Sequence, residues 1–272
     1  MYKIFKYSIL IILPFIFSAC ATTKVVKESF IAPPPPEDPR IKYIKTYRGV
    51  SDLEEKTGFD KLIADSGGFG IKNIIKPYGV AAKEGKIYVA DTGSGVVFIF
   101  DTILKKVKFL GDKSKGKLTL PVGIALDDNE RVYVSDSKLK RIFAYDKKGD
   151  LVVAIGKKDE FIRPTGIAIN KSSQMLYVVD TKGHNVKVYS LDGDFLFEFG
   201  KRGNGDGEFN FPTNIVIDDR NGNVIIADTQ NFRVQIFDQD GEFLRTIGQL
   251  GDQPGTFSRP RGVAMDGEGH LY

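Results

Sequence analysis

The chain reads as an all-β protein, a β-propeller of four-stranded antiparallel blades, on three observations. One segment recurs five times, opening Pro77-Tyr78-Gly79-Val80-Ala81, Pro121-Val122-Gly123-Ile124-Ala125, Pro164-Thr165-Gly166-Ile167-Ala168, Pro212-Thr213-Asn214-Ile215-Val216 and Pro260-Arg261-Gly262-Val263-Ala264. Successive prolines lie 44, 43, 48 and 48 residues apart. At such a period one unit cannot bury its apolar face alone and must stack on its neighbours. Each copy also divides into four short runs of β-branched and aromatic residues, with no helical period over a dozen residues.

The fourth copy shows the division best. Its strands are Asn214 to Asp218, Asn223 to Ala227, Phe232 to Phe237 and Glu242 to Ile247. Between them lie Asp219-Arg220-Asn221-Gly222, Asp228-Thr229-Gln230-Asn231 and Asp238-Gln239-Asp240-Gly241, clusters that reverse a chain because Gly takes positive φ and Asp or Asn bonds its own backbone. Four strands in about 45 residues make a propeller blade.

The second strand of each copy ends in Asp91-Thr92, Asp136-Ser137, Asp180-Thr181 or Asp228-Thr229, and ten residues on, the third closes at Asp101, Asp146, Ser190 or Asp238. The stretch Asp228-Thr229-Gln230-Asn231-Phe232-Arg233-Val234-Gln235-Ile236-Phe237 resembles the NHL repeat. Val96, Arg141 and Asn185 stand where Arg233 does, and the resemblance covers roughly Lys76 to Tyr272. It implies six blades, whereas the chain carries four and the start of a fifth. The closing Gly269-His270-Leu271-Tyr272 matches Gly222 to Ile225, in mid-strand, so the sequence is expected to be a fragment lacking C-terminal blades. The resemblance leaves function open, since NHL-type propellers include binding scaffolds, lyases and lactonases.

The N-terminus carries an address. Lys3 and Lys6 precede an apolar run from Ser8 to Phe17, shorter than the roughly 20 residues of a membrane-spanning helix. Small residues and the only cysteine follow in Phe17-Ser18-Ala19-Cys20, the plan of a secretory signal. The ending resembles a bacterial lipobox, which implies cleavage after residue 19 and lipidation of Cys20. Ala21 implies the outer membrane in a Gram-negative cell. Residues 20–40 hold Pro33-Pro34-Pro35-Pro36, a stiff polyproline II tether. Residues 41–75 are expected to supply a strand, Ile41 to Tyr47, which in propellers of this kind completes the last blade. Ser51-Asp52-Leu53-Glu54 matches a capping box for a short helix, with Phe59, Leu62 and Ile63 as its apolar face. Residues 76–272 are the propeller.

The formal charge is +4, and the two lysines that leave with the signal bring the mature chain to +2. That balance argues against nucleic acid as a partner. Asp91-Thr92-Gly93-Ser94 looks like the active-site turn of aspartic proteases, but Asp136, Asp180 and Asp228 recur at the same place, so all four are read as structural caps of turns. Gly203-Asn204-Gly205-Asp206-Gly207 lacks the ending of a P-loop and reads as a plain connection between blades. His184 and His270 have no second ligand at metal-binding spacing. No catalytic residue, metal or cofactor is assigned.

The first strand of each blade should run innermost, beginning on the face of the turns between second and third strands. Its opening residues are Lys76 and Tyr78, Leu120 and Val122, Arg163 and Thr165, Phe211 and Thr213, Arg259 and Arg261. None is His, Asp or Glu. Lys76, Tyr78, Arg163, Arg259 and Arg261 are therefore candidates for a basic ring that binds an anionic partner; the bland alternative pairs these cations with Asp91, Asp136, Asp180 and Asp228. The expected function is a lipid-anchored, extracytoplasmic binding scaffold of the cell envelope. Its partner would be an envelope protein or an anionic ligand. The rival is a metal-assisted lyase or lactonase whose ligands lie in the absent blades.

Overall fold

The computed structural model describes residues 31–32, 36, 41–54 and 73–272. The expectations for the signal, Cys20, the four-proline tether as a whole and the Phe59, Leu62 and Ile63 face lie outside these residues. Ahead of the blades, strand β1 (Ile31–Ala32) pairs antiparallel with β2 (Ile41–Lys42). Of the expected strand from Ile41 to Tyr47, only β2 is strand. Ser51 sits inside a 3-10 turn, Val50–Asp52, whose Asp52 accepts the amides of Arg48 (2.5 Å) and Gly49 (3.1 Å). Glu54 does not close a capping box on Ser51. Its carboxylate accepts the Val107 amide at 2.7 Å, tying this segment to the first sheet.

Four antiparallel sheets of four strands follow, each in simple sequence order. The first is β3 (Pro77–Lys83), β4 (Lys86–Asp91), β5 (Val96–Asp101) and β6 (Lys106–Leu110). The second is β7 (Pro121–Leu126), β8 (Val132–Asp136), β9 (Arg141–Tyr145) and β10 (Leu151–Ile155). The third is β11 (Pro164–Asn170), β12 (Met175–Asp180), β13 (Asn185–Ser190) and β14 (Phe195–Phe199). The fourth is β15 (Pro212–Ile217), β16 (Val224–Asp228), β17 (Arg233–Phe237) and β18 (Phe243–Ile247).

Register repeats with the sequence. Pro77, Pro121, Pro164 and Pro212 each lie opposite Asp91, Asp136, Asp180 and Asp228, and the ladder slips just after each proline. Proline has no N–H to give the ladder, so it belongs at the strand's first residue. The first strands β3, β7, β11 and β15 are neighbours in space, sheet to sheet. The cores lie between sheets rather than within them. Tyr88 and Val97 of the first sheet pack with Ile124 and Phe143 of the second; Tyr133 and Ile142 pack with Ile167 and Leu176 of the third; Tyr177 and Val186 pack with Ile215 and Phe237 of the fourth. In the fifth copy Val263, Met265 and Leu271 cover Ile225, Val234 and Ile236.

Hydroxyl groups staple neighbouring sheets. Ser137 Oγ donates to the Pro164 carbonyl (2.5 Å), Thr181 Oγ1 to that of Pro212 (2.7 Å) and Thr229 Oγ1 to that of Pro260 (2.8 Å). Thr181 also shares a hydrogen bond with Thr165 at 2.7 Å, and both are buried. Thr181→Val keeps the shape and leaves a buried carbonyl without its donor. It is expected to cost about 1–3 kcal/mol. Chemical denaturation reads this directly, and a midpoint unchanged from the parent would show that the staple adds nothing.

Candidate functional site

On the face carrying the turns between second and third strands, four buried carboxylates are engaged by main-chain amides and, at Asp91 and Asp228, by side chains as well. Asp136 accepts the amides of Thr119 (2.6 Å), Leu120 (2.9 Å), Lys138 (3.0 Å) and Leu139 (2.8 Å). Asp180 accepts those of Ile162 and Arg163 (both 2.7 Å) and Gly183 (3.1 Å). Asp91 accepts the amides of Ile75 (3.1 Å), Lys76 and Ser94 (3.2 Å) and the Ser94 hydroxyl (2.5 Å). Burial alone raises the Asp91 pKa, but the Ser94 hydroxyl and the three amides outweigh it and hold the carboxyl below its usual range. Each Asp therefore caps its own turn and also fixes the connection that leads into the first strand. Asp228 differs: it takes one such amide, Asn210 (2.7 Å), and side chains fill the rest of its sphere.

With the carboxylates engaged this way, the cations of that face stay free. Lys76, Tyr78, Arg163, Arg259 and Arg261 are all exposed, and no ion pair among the described residues uses Lys76, Arg163, Arg259 or Arg261. The alternative that they pair with the four aspartates is overturned, because main-chain amides, and at Asp228 the side chains of Asn231, Arg233 and Gln235, occupy those buried oxygens. Arg163 touches Asp180 through its amide and not through its guanidinium.

The first strands surround a cavity of about 420 Å³ lined by Gly and Ala, such as Gly79, Ala81, Gly123 and Ala125, together with branched residues such as Ile124, Ile167 and Ile215. Tyr78 and Thr213 line it near the mouth, and the Lys171 ion pair with Asp219 (3.0 Å) lies at the opposite strand ends. Arg261 borders Thr213, whose hydroxyl donates to the Arg261 carbonyl at 2.9 Å. Thr165, expected at the mouth, is buried and holds Thr181 and the Thr213 carbonyl (3.1 Å) instead. Among the described residues no group of three or more His, Cys, Asp or Glu is disposed to hold a metal ion.

A family model described as a 6-bladed β-propeller matches residues 121–199 and 174–231, two stretches that overlap as a repeated unit allows. Virginiamycin B lyase from Staphylococcus aureus superposes with a TM-score of 0.55 at 15% identity, covering 70% of this chain and 60% of that one. A chain of a nidogen/laminin complex superposes with a TM-score of 0.56 at 18% identity, covering 72% of this chain and 70% of that one. The fold is that of a β-propeller. At these identities the likeness is one of fold. Among curated proteins, the Drosophila melanogaster protein brain tumor is 30% identical over 79 residues, 28% of this chain. The chain thus spans 7% of that protein's length and 60% of the lyase's.

Within this propeller, the residues that carry the repeat signature in the fourth blade have a job the sequence did not disclose. Asn231 Nδ2 (2.8 Å), Arg233 Nε (2.9 Å) and Gln235 Nε2 (3.2 Å) converge on one oxygen of Asp228. From there Asn231 reaches the Gly203 carbonyl (2.9 Å), Arg233 those of Gly205 (2.6 Å) and Glu208 (2.9 Å), and Gln235 that of Glu208 (2.8 Å). The glycine-rich connection is thereby clamped from the neighbouring blade, in addition to the bond its own Gly205 amide makes to Glu208 (3.0 Å). The spacing Asp228, Asn231, Arg233, Gln235 was the signal that could have shown this.

A second feature escaped the sequence because only one copy announces it. Four residues after each capping Asp, the chain turns left-handed at Gly95 (φ 71), Lys140 (φ 54), His184 (φ 56) and Phe232 (φ 56). Only the first copy uses Gly there, and an L side chain pays about 1–2 kcal/mol in that region. His184 is buried in this turn, edge-on to Phe211 with ring centroids 4.6 Å apart, and its Nδ1 lies 3.3 Å from both the Phe209 carbonyl and the Phe211 amide.

Proposed function

We propose that this chain belongs to a lipid-anchored, extracytoplasmic binding scaffold of the cell envelope, a six-bladed propeller of NHL type. Its partner is an envelope protein or an anionic ligand held at the mouth of the channel. One observation carries the reading: Lys76, Arg163, Arg259 and Arg261 are exposed without carboxylate partners among the described residues, while every capping aspartate of that face is buried and engaged. Free cations on this face, with Tyr78 in the cavity lining, offer charge-assisted hydrogen bonds to anionic groups. The mature charge of +2 is too balanced to recruit nucleic acid. The lyases share the fold at 15–16% identity, which carries no activity to this chain. The address rests on the apolar run from Ser8 to Phe17 and the Ser18-Ala19-Cys20 that follows it. Ala21 after that cysteine supports the outer membrane as the destination in a Gram-negative cell.

The test is cross-linking in cells, followed by mass spectrometry of what the protein captures. Changing Arg163 and Arg261 together to Ala is expected to lower capture of the partner about tenfold, the effect of losing roughly 1.4 kcal/mol. Capture at the parental level would refute the binding face. Cys20→Ser is expected to release the protein from the membrane fraction, and a variant that stays bound would remove the lipid anchor from the proposal.

A further inference from the structure

We infer that the cleft between the β8–β9 turn of the second blade and the connection that leaves this blade for the third is a separate binding site for an acidic peptide segment that carries an apolar side chain between its carboxylates. The cleft encloses about 400 Å³ and is lined by Leu139, Lys140, Arg141, Phe143, Lys157, Lys158 and Asp159. Four cations therefore meet one carboxylate. Lys140, Arg141, Lys157 and Lys158 are exposed, and none takes part in an ion pair among the described residues.

Arg141 stands five residues after Asp136, as Arg233 does after Asp228, yet the two side chains have opposite fates. Arg233 is turned inward onto Asp228, its side chain 11% exposed. Asp136 has its oxygens filled by four amides, so nothing draws Arg141 inward and its charge remains at the surface. The turn positions of Lys140 and Arg141 are held by Gly95 and Val96 in the first blade, by His184 and Asn185 in the third, and by Phe232 and the inward-turned Arg233 in the fourth. In the third, Lys201 of the facing connection is paired with Glu208 at 3.4 Å.

Both walls are pinned before any ligand arrives. The turn wall is held by the Lys138 and Leu139 amides on Asp136, and the connection wall by the Lys157 amide on Glu160 (2.6 Å), whose other oxygen takes the Tyr189 hydroxyl (2.8 Å). These same bonds decide the ligand class. Phosphate sites are commonly nests of free backbone N–H groups, and here the Lys138, Leu139 and Lys157 amides are already bonded to carboxylates. What remains is long-chain cations around an apolar floor of Leu139, 40% exposed, and Phe143. An apolar centre inside a charged rim is the plan of a peptide or protein contact. The site does not depend on the channel mouth, which uses other residues.

The experiment uses the full chain and a fluorescein-labelled peptide, Gly-Glu-Asp-Leu-Glu-Asp-Gly, read by fluorescence polarisation, with the Gln/Asn form of the peptide as control. Binding is expected to weaken about tenfold in Arg141→Ala/Lys158→Ala, and again in Lys157→Ala/Lys158→Ala on one wall alone, to fall as salt rises, and to be unchanged in Arg163→Ala/Arg261→Ala. Parental affinity in both cleft variants overturns the inference, as does equal binding of the uncharged peptide. Displacement of the peptide by inorganic phosphate beyond that caused by sodium chloride at the same ionic strength would overturn the assignment to a peptide and leave a phosphate-type anion in its place. Loss of binding in the Arg163→Ala/Arg261→Ala variant alone would mean the probe sits at the mouth, which also overturns it.

Discussion

Asp228→Ala is expected to destabilise the propeller by about 3–5 kcal/mol, the cost of removing one member of a buried ion pair. Asp228 is fully buried and serves three side chains at once, Asn231, Arg233 and Gln235, besides the Asn210 amide. Without it the Arg233 charge stays in a nearly closed site with only carbonyl partners, those of Gly205 and Glu208. A buried cation short of its anion costs more than the pair contributed. Arg233→Met in the Asp228→Ala background is therefore expected to recover part of the loss. Urea denaturation of the parent, the single variant and the double variant measures both terms. A single variant within about 1 kcal/mol of the parent would show that the clamp on the glycine-rich connection is not built on this charge.

Gly166→Ala is expected to cost about 3 kcal/mol, the upper end of the overpacking range. A Cβ added there would sit 2.7 Å from Asn214 Cα and 2.8 Å from the Thr213 carbonyl oxygen of the next blade. Both obstacles are backbone, so no side chain can swing aside and the two innermost strands must separate. Removing a glycine also stiffens the unfolded chain, which favours folding by about 0.4–1 kcal/mol, too little to reverse the sign. Gly123 meets the same fate against the Thr165 carbonyl. Thermal unfolding of Gly166→Ala with a midpoint at or above the parent's would mean the first strands are not in contact at this position.

Much of the fold was legible because a repeat states its pattern several times. The fourth copy alone placed four strands within two residues of β15, β16, β17 and β18, since alternating apolar runs between Asp and Gly clusters leave little freedom in where a strand turns. The segment from Ile41 to Glu54 was less legible, as one short stretch has no second copy to check against. Its expected seven-residue strand reduces to two residues, and Glu54 turns from its own helix start to Val107. The capping role of Asp91, Asp136, Asp180 and Asp228 followed from recurrence. Their second role did not, because the amides they hold at Ile75, Thr119, Ile162 and Asn210 lie 15 or more residues earlier in the chain.

The sequence by itself determined the period, the four strands of each blade and the turn residues that divide them, all of which are set by local sterics and hydrogen bonding within a few positions. Only the tertiary structure decided which charges are free. Arg141 and Arg233 hold the same place in the repeat, and Asp136 and Asp228 are equally buried. At Asp136 four amides complete the carboxylate and leave the arginine in solvent, whereas at Asp228 one amide leaves room that Arg233 fills. A carboxylate has a limited number of lone pairs, and whichever donors the folded chain brings closest take them.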